Sequence, residues 1–260
     1  MPDRLTHQPD NMLHSRNTVL VVLLCLSAGL LGCSQEQHTS VENNVAKDAP
    51  KHANSQATKP ATESLIDECK ENGKKQLMLA RATVSDLQNV GELTQLEVLE
   101  IYQSDFESGE LTRIKDLVGL KRLKLEDLAI DDTSVDVLSE FTQLEVLNLP
   151  AARLTDDGFR KLVSNLPELI LLRIGGVQLS DSGIASVSSL PRLRFLHLIN
   201  VPITDAGLKT FHDMHDLESL YIDGDSATDN GIRDLLRANP QLHFHRNQSH
   251  FADDPNADGH

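Results

Sequence analysis

The chain has 260 residues, a formal net charge of −15 and a pI near 5.1. That acidity excludes counterion release as a source of affinity, so no nucleic-acid partner is expected, and it rules out binding to anionic lipid by charge. Aromatic residues are 3% of the chain and tryptophan is absent, which argues against a core of bulky rings and leaves a repeat protein built on leucine.

Residues 1–33 read as a targeting segment. Arg4 and Arg16 give a weakly positive start, and Thr18 to Leu31 form an apolar run. The run is shorter than the roughly 20 residues that span a bilayer and suits a signal-peptide h-region. It ends in Leu30-Leu31-Gly32-Cys33, which resembles the lipobox of bacterial lipoproteins. The resemblance implies diacylation of the Cys33 thiol, cleavage before it, and residence in the bacterial cell envelope on a lipid anchor. Ser34 implies outer-membrane rather than inner-membrane sorting. An ordinary secretory signal is the competing reading, and Met12 would give a tidier start than Met1. Acyl burial contributes about 0.8 kcal/mol per CH₂, so two or three chains would hold durably. Cys25 is then discarded with the signal, leaving Cys69 without a disulfide partner. It sits beside Leu65 and Ile66 and is expected to be a buried thiol.

Residues 34–61 hold hardly an apolar side chain and are expected to be a disordered polar tether, with a reach of roughly 30 Å. Residues 62–73 follow as a capping helix. Thr62 or Ser64 would serve as N-cap, Leu65, Ile66 and Cys69 as the apolar face, and Gly73 as the stop.

A period then dominates. Leu-x-x-Leu-x-Leu/Ile recurs at Leu96, Leu120, Leu144, Leu169, Leu193 and Leu217, in steps of 24, 24, 25, 24 and 24 residues. A partial copy precedes at Leu77 to Leu79. A degenerate last copy opens at Leu242, again 25 residues on. Residues 74–246 resemble the leucine-rich-repeat superfamily, and Ile-Thr-Asp-x-Gly-Leu is similar to its ribonuclease-inhibitor-like and cysteine-containing subclasses. The resemblance implies an α/β fold, a right-handed solenoid with a parallel sheet on the concave side and helices on the convex side. The unit is shorter than in those subclasses and has no asparagine ladder. Residues 247–260 read as a disordered acidic tail.

Four units also repeat Thr/Ser-Asp-x-Gly, at Thr155, Ser180, Thr204 and Thr228. Threonine or serine suits an N-cap, and Asp156, Asp181, Asp205 and Asp229 place carboxylates in the first helical turn. The motif therefore reads as a helix start needed once per rung. A calcium-binding aspartate ladder is the sharper alternative, but it lacks the dense oxygen ligands calcium requires. Asp131 to Val135 lacks the glycine.

On the resemblance, side chains between the inward leucines line the concave face. Arg173, His197 and Tyr221 fall in one row there, with Leu171, Phe195 and Ile199 as exposed apolar neighbours. Polar groups around apolar anchors compose a partner-binding patch, expected to take another protein. No nucleophile elbow, phosphate-cradling loop or zinc-protease helix is present. No catalytic residue, cofactor or metal is expected. His243, His245 and His250, and His212 with His215, lack matching cysteine or carboxylate ligands and are expected to be unliganded. The chain thus reads as a non-enzymatic, lipid-anchored recognition protein. The alternatives are a structural spacer, or a metal-dependent enzyme using the C-terminal histidines.

Overall fold

The computed structural model describes residues 61–251. Cys33, the signal segment, nearly all of the tether and the end of the tail lie outside them. Strands Gln76–Ala80 (β1), Val98–Tyr102 (β2), Arg122–Leu125 (β3), Val146–Leu149 (β4), Leu171–Gly175 (β5), Phe195–Ile199 (β6), Ser219–Asp223 (β7) and His243–Arg246 (β8) pair in chain order, all parallel. Parallel neighbours need a crossover, and each rung supplies a short helical one. The α-helical pieces are Ala61–Glu71 (α1), Val84–Val90 (α2), Val135–Ser139 (α3), Asp156–Val163 (α4), Asp181–Ile184 (α5), Asp205–Leu208 (α6) and Asp229–Ala238 (α7). The second rung uses only the 3₁₀ turn Ser108–Ile114, and α5 and α6 run on into 3₁₀ turns. A 24-residue rung leaves room for little more than two turns of helix.

The leucine pattern translates directly into register. Leu99, Leu123, Leu147, Leu172, Leu196 and Leu220 stand opposite one another, as do Ile101, Leu125 and their successors. All of these side chains are at most 1% exposed. Alternate residues share a face, so one row fills the core and the next faces out. Phe141, Phe159 and Phe211 complete the core from the helical side, with Phe244 from β8. The last step differs from the sequence reading: Leu220 pairs with Phe244, a 24-residue step. The extra residue before Leu242 is absorbed ahead of the strand.

The repeated Thr-Asp-x-Gly motif joins rungs. The backbone N–H and hydroxyl of Ser180 donate to the two oxygens of Asp156 at 2.8 and 2.5 Å. Thr204 does the same to Asp181, Thr228 to Asp205, and Thr155 to Asp132. Each hydroxyl in turn accepts from a backbone N–H of its own helix, as Thr228 does from Gly231 at 3.1 Å. The glycine makes room for the preceding rung's carboxylate. A Cβ on Gly158, Gly183, Gly207 or Gly231 would lie 2.0 to 2.3 Å from that oxygen. The aspartates thus begin helices, as the sequence indicates, but their carboxylates serve the following rung. Both oxygens of Asp132, Asp156, Asp181 and Asp205 are so engaged, which leaves calcium little to bind.

The rung without glycine carries its own compensation. Ser108 stands where the preceding aspartate would be, and its hydroxyl accepts from the Asp131 N–H at 3.0 Å. Ser134 replaces the glycine, fully buried, and meets the Ser108 hydroxyl at 2.8 Å. A smaller acceptor admits a larger neighbour.

Both ends are closed. Helix α1 stops at Gly73, whose φ is +60°, and buries Ile66 and Cys69 over β1. Leu65, expected on the same apolar face, is 43% exposed, because an end-covering helix offers only a narrow contact. The Cys69 thiol donates to the Lys74 carbonyl at 3.4 Å. Burial pushes its pKa up, against the lowering charge of Lys74, which is the setting of a structural thiol.

At the far end Arg246 occupies the inward position opposite Ile222. Its Nε and a terminal nitrogen grip Asp225 at 2.9 Å each, and it also reaches the Ala227 carbonyl at 2.8 Å and Asp229 at 3.0 Å. The Asp225 side chain is 2% exposed. Residues 247–251, expected to open the tail, are ordered. Asn247 and Gln248 form a left-handed turn, and Ser249–His250 (β9) pairs antiparallel with β8. No described helix is long and apolar enough to cross a membrane.

Candidate functional site

Parallel register brings the outward middle residues of the strands into one row. Met78, Glu100, Lys124, Asn148, Arg173, His197, Tyr221 and His245 stand side by side. Strands about 4.8 Å apart force these side chains into mutual contact, and they interlock by charge and hydrogen bonding.

Arg173 is the hub. It donates to Asn148 Oδ1 and to His197 Nδ1, each at 3.3 Å, and lies 3.8 Å from Glu126. Because His197 Nδ1 accepts, its proton sits on Nε2, which donates to Asp223 at 2.9 Å. Burial lowers the His197 pKa, with the Asp223 hydrogen bond opposing, so the ring is neutral at pH 7. Burial also lowers the Arg173 pKa, opposed by Glu126 and then Asp223; a guanidinium stays charged regardless. Tyr221 leans on His197 with ring centroids 5.5 Å apart and stacks on His245 at 4.2 Å and 13°. Burial raises the Tyr221 pKa. On the other flank Lys124 pairs with Glu126 at 3.0 Å and lies 4.7 Å above the Tyr102 ring. Tyr102 donates to Glu100.

Arg173, His197 and Tyr221 are therefore adjacent and half-buried. Leu171 and Phe195 pair in a second row, and Ile199 lies in a third between Gly175 and Asp223. These three apolar residues are only partly exposed, contrary to the expectation of open anchors. Neighbouring strands cover their flanks, and the Arg194 guanidinium sits 5.9 Å from the Phe195 ring. Among the described residues the exposed large apolar side chains are Met78, at the β1 end of the same row, and Leu65, Val84, Val118 and Val177 outside it. Around Arg173 the face is polar and hydrogen-bonded, suited to directional contacts more than to apolar ones.

Asp156, Asp181, Asp205 and Asp229 are remote from this face, at the helix starts. The row does not stop at Tyr221. His245 continues it, His243 stands beside Ser219 in the neighbouring row, and the β8–β9 turn adds His250. The sequence reading set these three aside because no cysteine or carboxylate of matching spacing accompanies them; His-x-His spacing in a strand was the available clue.

No protein-family model and no curated protein matches the sequence. Solved structures do resemble the fold. An internalin from Listeria monocytogenes is 20% identical with a TM-score of 0.56, over 71% of this chain and 53% of that one. The plant peptide hormone receptor RGFR1 in complex with RGF2 is 16% identical with a TM-score of 0.43, over 66% of this chain and 32% of that one. The chain thus spans about half the length of the internalin and a third of the receptor. Period, parallel sheet and structural likeness together show the fold of a leucine-rich-repeat solenoid.

Proposed function

We infer that the protein is a non-enzymatic recognition module whose concave sheet binds another protein through Arg173, His197 and Tyr221. The observation that carries this is the locked row from Glu126 to Tyr221, with the Asn148–Arg173–His197–Asp223 hydrogen bonds at its centre. Side chains already held in one geometry lose little entropy on binding, and arginine and tyrosine are enriched among residues that dominate interfaces. A row of paired, half-buried polar groups has no evident purpose in a spacer. The repeats are of the ribonuclease-inhibitor-like or cysteine-containing kind, a reading supported by the helical crossovers between successive parallel strands. Acylation at Cys33, supported by the lipobox-like sequence, would tether the solenoid in the bacterial envelope.

One set of full-length proteins tests both parts. An Arg173/His197/Tyr221→Ala variant of unchanged circular dichroism should lose proteins that the wild type captures from envelope extract. The same captures by both proteins would end the concave-face assignment. Cys33→Ser should move from the membrane to the soluble fraction, and unaltered fractionation would remove the anchor.

A further inference from the structure

The end of the concave row has a composition unlike the rest of it. His243 and His245 are two apart in β8 and so share a face. The left-handed turn at Asn247 and Gln248, with φ of 50° and 61°, then returns the chain so that His250 pairs across from His245. Ring centroids lie 4.5 Å apart for His243–His245, 5.0 Å for His243–His250 and 4.1 Å for His245–His250. One nitrogen of each ring lies within 4.8 Å of the others, and Nε2 of His243 is 2.6 Å from Nε2 of His245. Among the described residues this is the one set of three or more histidine, cysteine or carboxylate side chains converging in that way.

The surroundings support the convergence. Left-handed residues also follow β1, β2, β3 and β6, at Arg81, Gln103, Asp127 and Asn200; after β8 two come in succession, Asn247 and Gln248, and the chain turns back to deliver the third imidazole. Tyr221 stacks flat on His245, and Arg246, on the opposite face of β8, is bound to Asp225. The strand and the His245 ring are thereby held, as supported metal ligands are.

We propose that His243, His245 and His250 bind a single divalent transition-metal ion, zinc foremost, with a fourth coordination position open to solvent. Three neutral imidazoles suit zinc, copper and nickel, and exclude the hard cations calcium and magnesium, which take oxygen. Zinc–nitrogen bonds of about 2.0–2.1 Å set tetrahedral nitrogens roughly 3.3 Å apart. The spacings present, one at 2.6 Å and all within 4.8 Å, bracket that value. Three protein nitrogens and a free position form the open kind of zinc site, able to hold water or a donor group from another molecule. The ion would also tie β9 to β8.

Metal-stripped full-length protein, titrated with zinc alone in equilibrium dialysis, tests the assignment. One saturable equivalent is expected, together with a rise in thermal midpoint that calcium does not reproduce. Cobalt should give the visible absorption of a four-coordinate nitrogen site. His250 lies at the exposed end of the hairpin, so His250→Asn leaves the core intact; it should weaken zinc binding at least about tenfold and abolish the cobalt spectrum. His245→Asn should do the same with unchanged circular dichroism, and a His212→Asn/His215→Asn control should bind like the wild type. No saturable zinc, or undiminished binding by His250→Asn, would overturn the proposal.

Discussion

Arg246→Ala is expected to destabilise the protein by about 3–5 kcal/mol, the range for removing one partner of a buried ion pair. The reason lies with the residue left behind. The Asp225 side chain is 2% exposed and accepts both arms of the Arg246 fork. Without it a carboxylate stays buried beside only the Ala227 N–H, at 2.8 Å. Arg246→Lys should fall between, because a lysine supplies the charge but not the two-pronged geometry. Arg246→Ile restores an aliphatic residue to the inward row yet still orphans Asp225. Adding Asp225→Ala to it should therefore recover much of the loss. Rungs of a solenoid depend mainly on their neighbours, so hydrogen exchange should quicken in β7 to β9 and little in β2 to β4. Denaturant unfolding of Arg246→Ala within about 1 kcal/mol of wild type would show the pair to be no more than a surface contact.

A second expectation concerns sign as well as size. Serine is a better helix former than glycine by roughly 0.5 kcal/mol, so Gly231→Ser ought to stabilise α7 slightly. The solenoid should reverse that. A Cβ at this position lies 2.2 Å from Asp205 Oδ1. Either it overlaps the carboxylate, or the carboxylate swings away and gives up both bonds to Thr228, at 2.7 and 2.8 Å. Overpacking and lost hydrogen bonds both fall at about 1–3 kcal/mol, which outweighs the propensity gain. Asp205→Ser alone should lose a similar amount. Combining the two recreates the Ser108–Ser134 arrangement, and the double variant should be less destabilised than the sum by about 1 kcal/mol or more, a coupling within the range for residues in contact. Simple additivity in urea denaturation would mean that glycine and carboxylate do not compete for space.

The same clamp sets an acid limit. The Thr228 N–H, and then its hydroxyl, hold the Asp205 carboxyl below its ordinary pKa. A carboxyl lowered on folding adds stability that is complete above its unfolded value of about 3.9 and lost as pH falls through the lower folded value. Asp205→Asn should show less of that decline below pH 4 in thermal melts.

The repeat architecture was legible because its two determinants are strictly periodic: inward leucines two apart, and a recurrence near 24 residues that fixes parallel register. Gly207 recurs with its counterparts two residues after an aspartate, a pattern legible in the sequence. Its specific opponent, the carboxylate of the preceding rung, required coordinates. The row of Arg173, His197 and Tyr221 followed from alternation alone. The half-burial of Leu171, Phe195 and Ile199 did not, because sequence gives the side a residue faces but not how far its lateral neighbours cover it. Arg246 was illegible for a related reason. An arginine in an inward position reads as decay of the repeat until Asp225, 21 residues earlier, is seen beneath it.

A stack of identical rungs has no intrinsic reason to stop. Each strand exposes the backbone groups that would seat another like it, and a second molecule could in principle continue the series. Strand β9, two residues long and running the opposite way, presents the wrong polarity for another rung in the parallel series. Helix α1 covers the other terminus. The chain thereby fixes its own length as a discrete object and guards against growth into a fibre.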